Sequence, residues 1–198
     1  MKSAKSDELW RFYNKRDQNF DVTGTDFAVY TANNIYMIKK EILLVEDSSD
    51  FRQIVRKIFS TFLPEYNVKS FQGADELYRY MILQSSDDYE GRRPALIILD
   101  LKLPNINGVE LLKLLRQTPA NKVTDWKTIP VVMLSSSDRQ EDVNKCYQAG
   151  ASSFLVKPMD FEDLRKLLET VCFYWLDLNK VTGKISEAVR DASQIDSV

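Results

Sequence analysis

The chain alternates between short apolar runs and longer segments in which apolar residues recur at helical spacing. The runs "EILLVED" and "ALIILD" predict strands, since a strand that is covered on both faces carries apolar residues in succession. After the first run, Val55, Ile58 and Phe59 keep the i, i+3, i+4 spacing of one helix face. From residue 41 onward, strand and helix patterns alternate through five units.

Strict alternation of strands and helices predicts a parallel α/β sheet with helices on both faces. The second strand, "YNVKSF", is polar, which favours a position at the edge of the sheet. We therefore predict a flavodoxin-like, doubly wound (βα)5 fold whose five-stranded parallel sheet has the order 2-1-3-4-5. The last helix is predicted to extend from Asp160 to about Leu178, and Gly150 is expected to end the helix before it.

The composition restricts the possible chemistry. With 198 residues and 44% hydrophobic content, the chain can bury one core. Its net charge of -2 lacks the basic excess that accompanies nucleic-acid binding, and no segment resembles a signal peptide or a membrane span, so we expect a cytoplasmic protein that binds neither nucleic acid nor membrane. The two cysteines are explained as structural thiols. The absence of histidine excludes His-ligated metals and His-dependent nucleophilic catalysis, which leaves carboxylates, hydroxyls and lysine.

Chemically useful side chains follow four of the five predicted strands. They are Glu46 and Asp47 after the first strand, Asp100 after the third, Ser135 after the fourth and Lys157 after the fifth. In the predicted order these strand ends meet at one crevice. Three carboxylates stay ionised together only if a cation compensates them, and oxygen ligands beside a phosphoryl group favour Mg²⁺. A carboxylate nucleophile, a metal, a lysine and a hydroxyl are the parts needed to accept a phosphoryl group by in-line displacement.

Each of these residues also has an ordinary structural explanation. Asp100 would suit a turn or a helix cap. Glu46 and Asp47 would suit the cap of the first helix, and Ser135 that of the fourth. Lys157 would suit a solvated surface. A shared site is favoured because all five residues fall at the same edge of the predicted sheet.

Four motifs resemble the CheY-like receiver domains of two-component response regulators. These motifs are "ILLVEDSSD", "DLKLPNING", "VVMLSSSD" and "GASSFLVKP". The resemblance covers roughly residues 38–178, so residues 1–37 are interpreted as an N-terminal extension and residues 179–198 as a C-terminal tail. The loops "SSDDYEGRRP" and "TPANKVTDWKTIP" and the ending "FYWLDLNK" further resemble the stand-alone response regulators that are paired with bacterial phytochrome kinases.

The resemblance implies a role for each residue at the strand ends. It implies that Asp100 is the phosphoacceptor, that Lys157 contacts the phosphoryl group, and that Ser135 is the switch hydroxyl. For the Mg²⁺ site it implies Asp47 as a direct ligand, Glu46 as a partner that acts mainly through water, and Asp100 and the backbone carbonyl of Lys102 as further ligands.

The same resemblance implies an aromatic switch residue at Phe154 and a cis peptide bond between Lys157 and Pro158. The implied function is that of a single-domain response regulator, which signals through protein–protein contacts. Its phosphoryl donor would be a sensor histidine kinase or a histidine phosphotransfer protein. Such a protein is no enzyme toward other molecules, because it catalyses only its own phosphorylation and dephosphorylation.

Two other functions stay open. One is a receiver-fold scaffold that is not phosphorylated. The other is a phosphohydrolase of the haloacid dehalogenase type, which also places a nucleophilic Asp after a parallel strand. That family has a second Asp two residues after the nucleophile, whereas this chain has Lys102 there, which argues against the hydrolase.

Two residues near the predicted pocket are expected to affect how long a phosphoryl group stays on Asp100. Lys102 lies two residues after Asp100, where a long cation can reach the phosphoryl oxygens or obstruct an attacking water. Ser137 lies two residues after Ser135 and is too short to position that water well. We therefore expect slow self-dephosphorylation.

The last predicted helix is more apolar than one core-facing stripe requires. It carries Phe173, Tyr174, Trp175 and Leu176 in succession. We expect this cluster to take part in a homodimer through the fourth helix, the fifth strand and the last helix, with Trp175 near the centre. The alternative is a monomer in which Trp175 packs under the N-terminal extension.

Overall fold

The computed structural model describes residues 39–84, 93–119 and 124–179, all of which belong to the unit that begins at Lys39. The predicted N-terminal extension lies outside the described residues, and so does the predicted tail apart from Asn179. None of the described helices is both long enough and apolar enough to cross a membrane.

Five parallel strands form one sheet in the order β2-β1-β3-β4-β5, which confirms the predicted flavodoxin-like topology. The strands are β1 (Lys40–Val45), β2 (Tyr66–Phe71), β3 (Pro94–Leu99), β4 (Val131–Ser135) and β5 (Ser153–Val156). The helices are α1 (Ser49–Phe62), α2 (Ala74–Gln84), α3 (Gly108–Gln117), α4 (Gln140–Gln148) and α5 (Phe161–Cys172). A 3₁₀ helix (Trp126–Thr128) precedes β4, and a π-helical segment (Phe173–Leu178) continues α5.

The sheet is covered on both faces, which explains its long apolar runs. In β1, Leu43 and Val45 join the core layer that contains α2, α3 and α4, whereas Ile42 and Leu44 join the layer that contains α1 and α5. Successive side chains of a strand point to opposite faces, so a central strand between two helical layers must be apolar at every position. The polar β2 pairs only with β1 and lies at the predicted edge.

The last predicted helix has the expected bounds but not a uniform geometry. Asp160 caps α5 by accepting hydrogen bonds from two main-chain N–H groups of the first turn. The π-helical segment ends where the Asn179 N–H donates to the Tyr174 carbonyl at 2.8 Å. Apolar spacing does not distinguish an α-helix from one π-helical turn, so the change of geometry could not be predicted from the pattern.

The four consecutive residues at the end of this helix do not share one surface. Leu176 is buried in the core, Phe173 and Trp175 are half-buried, and only Tyr174 is exposed. Consecutive helical residues point in different directions around the axis, so one face cannot collect all four. The expectation that Leu176 belongs to an exposed interface cluster is therefore wrong.

Main-chain hydrogen bonds continue past the strand ends and fix the residues that follow. The Asp100 N–H donates to the Val45 carbonyl at 2.9 Å, and the Lys157 N–H donates to the Ser135 carbonyl at 2.8 Å. The Glu46 N–H donates to a carbonyl of β2 at 3.0 Å. The acids and the lysine therefore leave the sheet from positions that the strand pairing sets.

Gly108, the first residue of α3, packs against the chain that follows Asp100. Its N–H donates to the Leu101 carbonyl at 2.8 Å. A Cβ atom at position 108 would lie 2.2 Å from the Asp100 carbonyl oxygen and 2.9 Å from Leu101 Cα. Since these are main-chain atoms, α3 would have to move away from β3 to accommodate a side chain.

We expect Gly108→Ala to lower the free energy of unfolding by roughly 1–3 kcal/mol, because the added methyl group overlaps the main chain. Urea denaturation measures this change. Gly73→Ala is the matched control, since a Cβ at position 73 would meet only Pro104 Cγ at 4.0 Å, and its unfolding midpoint should stay close to that of the unaltered protein. Equal midpoints for the two variants would contradict the steric argument.

Candidate functional site

Three carboxylates converge at the carboxyl ends of β1 and β3. Glu46, Asp47 and Asp100 each place one oxygen within 4.8 Å of the oxygens of the other two. Glu46 and Asp100 are buried, with 2% and 6% of their surfaces exposed, whereas Asp47 is exposed to solvent. The acids that the sequence analysis assigned to one pocket are thus neighbours.

Lys157 provides the cation of this cluster. Its Nζ lies 2.6 Å from Glu46 Oε2 and 3.0 Å from Asp100 Oδ2, and 14% of its side chain is exposed. Burial raises the pKa of the Glu46 carboxyl above its usual value, and the hydrogen bond and charge of Lys157 oppose that shift. One ammonium balances one of three carboxylates, so the ionised cluster keeps an excess of negative charge.

The peptide bond between Lys157 and Pro158 is trans, since the described residues contain no cis peptide bond. The expectation of a cis bond at this position is wrong. A trans bond before proline is the more stable isomer by roughly 0.5–1 kcal/mol. Lys157 reaches both carboxylates with the trans bond in place, so its contacts to the acids do not require the cis isomer.

The capping explanations for the acids do not hold. Ser48, not Glu46 or Asp47, caps α1, because its hydroxyl accepts the hydrogen bond of the Phe51 N–H. Asn107 caps α3 through a reciprocal capping box with Glu110. The acids at the ends of β1 and β3 are therefore free of capping roles at these helices.

The ordinary structural explanations for Ser135 and Lys157 do not hold either. The N-cap of α4 is Arg139, which makes no side-chain capping bond, so Ser135 does not cap that helix. Ser135 is fully buried and Lys157 is largely so. Neither residue is an ordinary cap or surface group.

Arg52 holds the loop between β1 and α1 and was not singled out from the sequence. Its guanidinium donates to the carbonyls of Glu46 at 2.6 Å and Asp47 at 2.8 Å. The Ser48 N–H adds a hydrogen bond to Glu46 Oε1 at 3.3 Å. An arginine in the first turn of a helix that follows two acids is the sequence signal that would have indicated this role.

Ser135 and Phe154 lie where a conformational signal would begin. The Ser135 hydroxyl accepts the Ser137 N–H at 3.1 Å, and a hydroxyl that accepts one bond still has its hydrogen to donate. Phe154 is half-buried against the layer of α2, α3 and α4, and its N–H donates to the Tyr147 hydroxyl at 3.2 Å. Their roles as switch residues stay predictions.

Lys102 lies in the loop after β3 with its side chain exposed. Its backbone carbonyl as a metal ligand stays a prediction. The three carboxylates themselves fit a hard divalent cation, because such ions take oxygen ligands and their charge would offset the excess negative charge of the cluster.

Known proteins are similar to this chain in sequence and in fold. A model of the response regulator receiver domain matches residues 42–169. The response regulator Rcp1 of Synechocystis sp. is 34% identical over 139 residues, which cover 70% of this chain and 90% of Rcp1.

Two solved structures are similar in fold and in sequence. The phosphorylated cyanobacterial phytochrome response regulator RcpA is 26% identical, with a TM-score of 0.63, and the match covers 73% of this chain and 99% of RcpA. The Mn²⁺-bound form of Rcp1 is 32% identical, with a TM-score of 0.59, and the same shares of both chains are covered.

Proposed function

The chain belongs to the response regulator receiver domain family, and on that basis we propose that it is a single-domain response regulator that accepts a phosphoryl group on Asp100. The observation that carries this proposal is the position of Lys157 Nζ between Glu46 and Asp100, beside the exposed Asp47. Among the three acids Asp100 is the central one, because it follows β3, the middle strand of the sheet, and forms an ion pair with Lys157. The protein acts in the cytoplasm and catalyses only its own phosphorylation and dephosphorylation.

In the proposed reaction, Asp100 Oδ attacks phosphorus while the bond between phosphorus and the donor histidine nitrogen breaks. The leaving nitrogen keeps the electron pair of that bond. Lys157 moves from the Asp100 carboxylate to a phosphoryl oxygen, and the Ser135 hydroxyl donates to another. A Mg²⁺ ion held by Asp47, Asp100 and the carbonyl of Lys102, with Glu46 acting mainly through water, would reduce the repulsion between the phosphoryl oxygens and the acids.

The donor that we propose is a sensor histidine kinase of the phytochrome class or a histidine phosphotransfer protein. The support comes from the relatives, because RcpA is a cyanobacterial phytochrome response regulator that was crystallised in its phosphorylated form. Rcp1 was crystallised with Mn²⁺, which supports a divalent cation at the acidic cluster.

Asp100→Asn should abolish phosphorylation by acetyl phosphate and Mg²⁺ while the protein stays folded, because an amide cannot act as the nucleophile. Intact-mass measurement detects the adduct. Asp50→Asn is the control, since it removes an exposed carboxylate from the first turn of α1 and should keep full phosphorylation. Asp47→Ala should weaken Mg²⁺ binding more than Glu46→Ala, because Asp47 is proposed to contact the ion directly.

The same incubation separates the alternatives. A receiver takes up one phosphoryl group per chain, a hydrolase turns acetyl phosphate over many times, and a scaffold does neither. A full adduct on the Asn variant would show that Asp100 is not the acceptor.

We further propose that the phosphoryl group is long-lived. The Ser137 hydroxyl donates to Asp142 Oδ2 at 2.8 Å, and Arg139 also pairs with that carboxylate at 3.0 Å. This bond uses the hydrogen of the hydroxyl, and the Ser137 side chain is too short to position an attacking water well. Lys102 carries no acceptor atom on its side chain that could bind the hydrogen of that water.

Lys102→Asn should shorten the lifetime of the adduct several-fold, because an amide can orient the attacking water. Loss of the adduct over time, followed by mass measurement, gives the rate. Lys113→Asn, at an exposed position of α3, should leave the lifetime unchanged. If Lys102→Asn loses the phosphoryl group no faster than the unaltered protein, the proposed role of Lys102 in the long lifetime is wrong.

We also propose a homodimer through the face formed by α4, β5 and the last helix, tightened by phosphorylation. Each of these elements carries an exposed apolar residue: Tyr147 and Tyr174 are 50% exposed, and Val156 is 47% exposed. The Tyr174 ring packs edge-on against Trp175, with ring centroids 5.0 Å apart. Aromatic pairs of this kind are frequent anchors of interfaces.

Sedimentation with beryllofluoride, which mimics the phosphoryl group, should show a dimer that is tighter than the untreated protein. Trp175→Ala and Tyr174→Ala should each weaken it by about tenfold or more. Tyr78→Ala is the control, since Tyr78 is an exposed tyrosine of α2, outside the proposed face. A chain that stays monomeric at high micromolar concentration in both states would contradict the dimer.

A further inference from the structure

Helix α1 places two aromatic rings beside cations. The Phe51 ring, in the first turn, has Lys157 Nζ at 4.6 Å from its centroid, and the Phe62 ring, in the last turn, has Arg165 Cζ at 5.2 Å. Both distances fall within the range of about 6 Å over which a ring face attracts a cation. Only the first of these cations belongs to the acidic cluster.

The contact between Phe51 and Lys157 lies in a region that is largely shielded from water. Only 14% of the lysine side chain is exposed, and Phe51 is half-buried against the layer of α1 and α5. Cation–π attraction is stronger where water does not compete for the cation. The ring is therefore a third neighbour of the ammonium, after Glu46 and Asp100.

The proposed reaction requires the lysine to change partners. Its ammonium bonds to the Asp100 carboxylate in this structure and must reach a phosphoryl oxygen in the product. A lysine has a flexible four-carbon stem and loses rotamer freedom when it is held in one place. The face of a ring attracts the ammonium without demanding one hydrogen-bond direction, so it can retain the cation during a short displacement.

We propose that Phe51 is a positioning residue for Lys157. The ring of Phe51 keeps the lysine ammonium at the acceptor carboxylate before the reaction and at the phosphoryl group after it. This inference rests on the proposed phosphorylation of Asp100. Phe51 does not touch the reacting atoms. It acts through the lysine, and its own removal leaves every carboxylate in place.

The test replaces the ring and keeps an apolar side chain. Phe51→Leu should lower the maximal rate of phosphorylation by acetyl phosphate by about fivefold and weaken beryllofluoride binding by a similar factor, as the loss of one cation–π contact implies. Mg²⁺ affinity should not change. Phe51→Trp should keep both properties because it retains an aromatic face.

Phe62→Leu is the matched control, because it removes an aromatic partner of a cation from the same helix at a distance from the acids. It should leave the phosphorylation rate unchanged. Urea denaturation of both Leu variants measures their lost packing. If Phe51→Leu keeps the wild-type rate, or if Phe62→Leu slows phosphorylation equally, the positioning role is wrong.

A spectrum that needs no phosphoryl group separates this inference from the proposed function. The protein is labelled with ¹³C-lysine, and the ε-methylene signal of Lys157 is assigned by its absence in Lys157→Arg. The Phe51 ring should shift the ε-methylene protons of Lys157 upfield. Phe51→Leu should remove that shift. A normal shift in the unaltered protein would overturn the contact itself. A wild-type chain that shows the shift but takes no phosphoryl group would overturn the proposed function and leave the contact standing.

Discussion

Lys157 places one ammonium between two buried carboxylates, 2.6 Å from Glu46 and 3.0 Å from Asp100. Burial raises the pKa of the Glu46 carboxyl, and the hydrogen bond and charge of Lys157 oppose that shift. The ammonium joins the ends of three strands, since Glu46 follows β1, Asp100 follows β3 and Lys157 follows β5. A buried ion pair contributes little net stability on its own, so its importance lies in holding the Asp100 carboxylate beside the ammonium at the carboxyl ends of the strands.

Groups outside the charged cluster provide most of the local order around it. Helices α1 and α3 are capped by Ser48 and Asn107, so the nearby acids do not have to cap them. Arg52 binds the carbonyls that precede α1, not the carboxylates. The acids thus remain available to a cation or a phosphoryl group, while the capping side chains, the Arg52 guanidinium and main-chain bonds provide the local order.

At the amino ends of β1 and β2, a second polar contact anchors the π-helical segment that continues α5. Asp177 accepts hydrogen bonds from the Tyr66 hydroxyl at 2.6 Å and from Lys40 Nζ at 3.0 Å. Burial and the neighbouring Asp177 raise the pKa of the Tyr66 hydroxyl. These bonds tie the π-helical segment to the starts of β1 and β2, with Leu176 in the core beside them. The segment that we propose for the dimer is therefore fixed at its end by the domain itself.

The amino-acid sequence alone predicts the strand order, the polar edge strand and the convergence of Glu46, Asp100 and Lys157, because apolar spacing is local and the carboxyl ends of parallel strands meet at one edge. Tertiary structure decided the rest. The hydrogen bond between Lys157 and Glu46 joins residues 111 positions apart in the sequence, and no local pattern predicts which of the acids the lysine contacts. The burial of Leu176 and the position of the Phe51 ring beside the ammonium likewise depend on packing between distant segments.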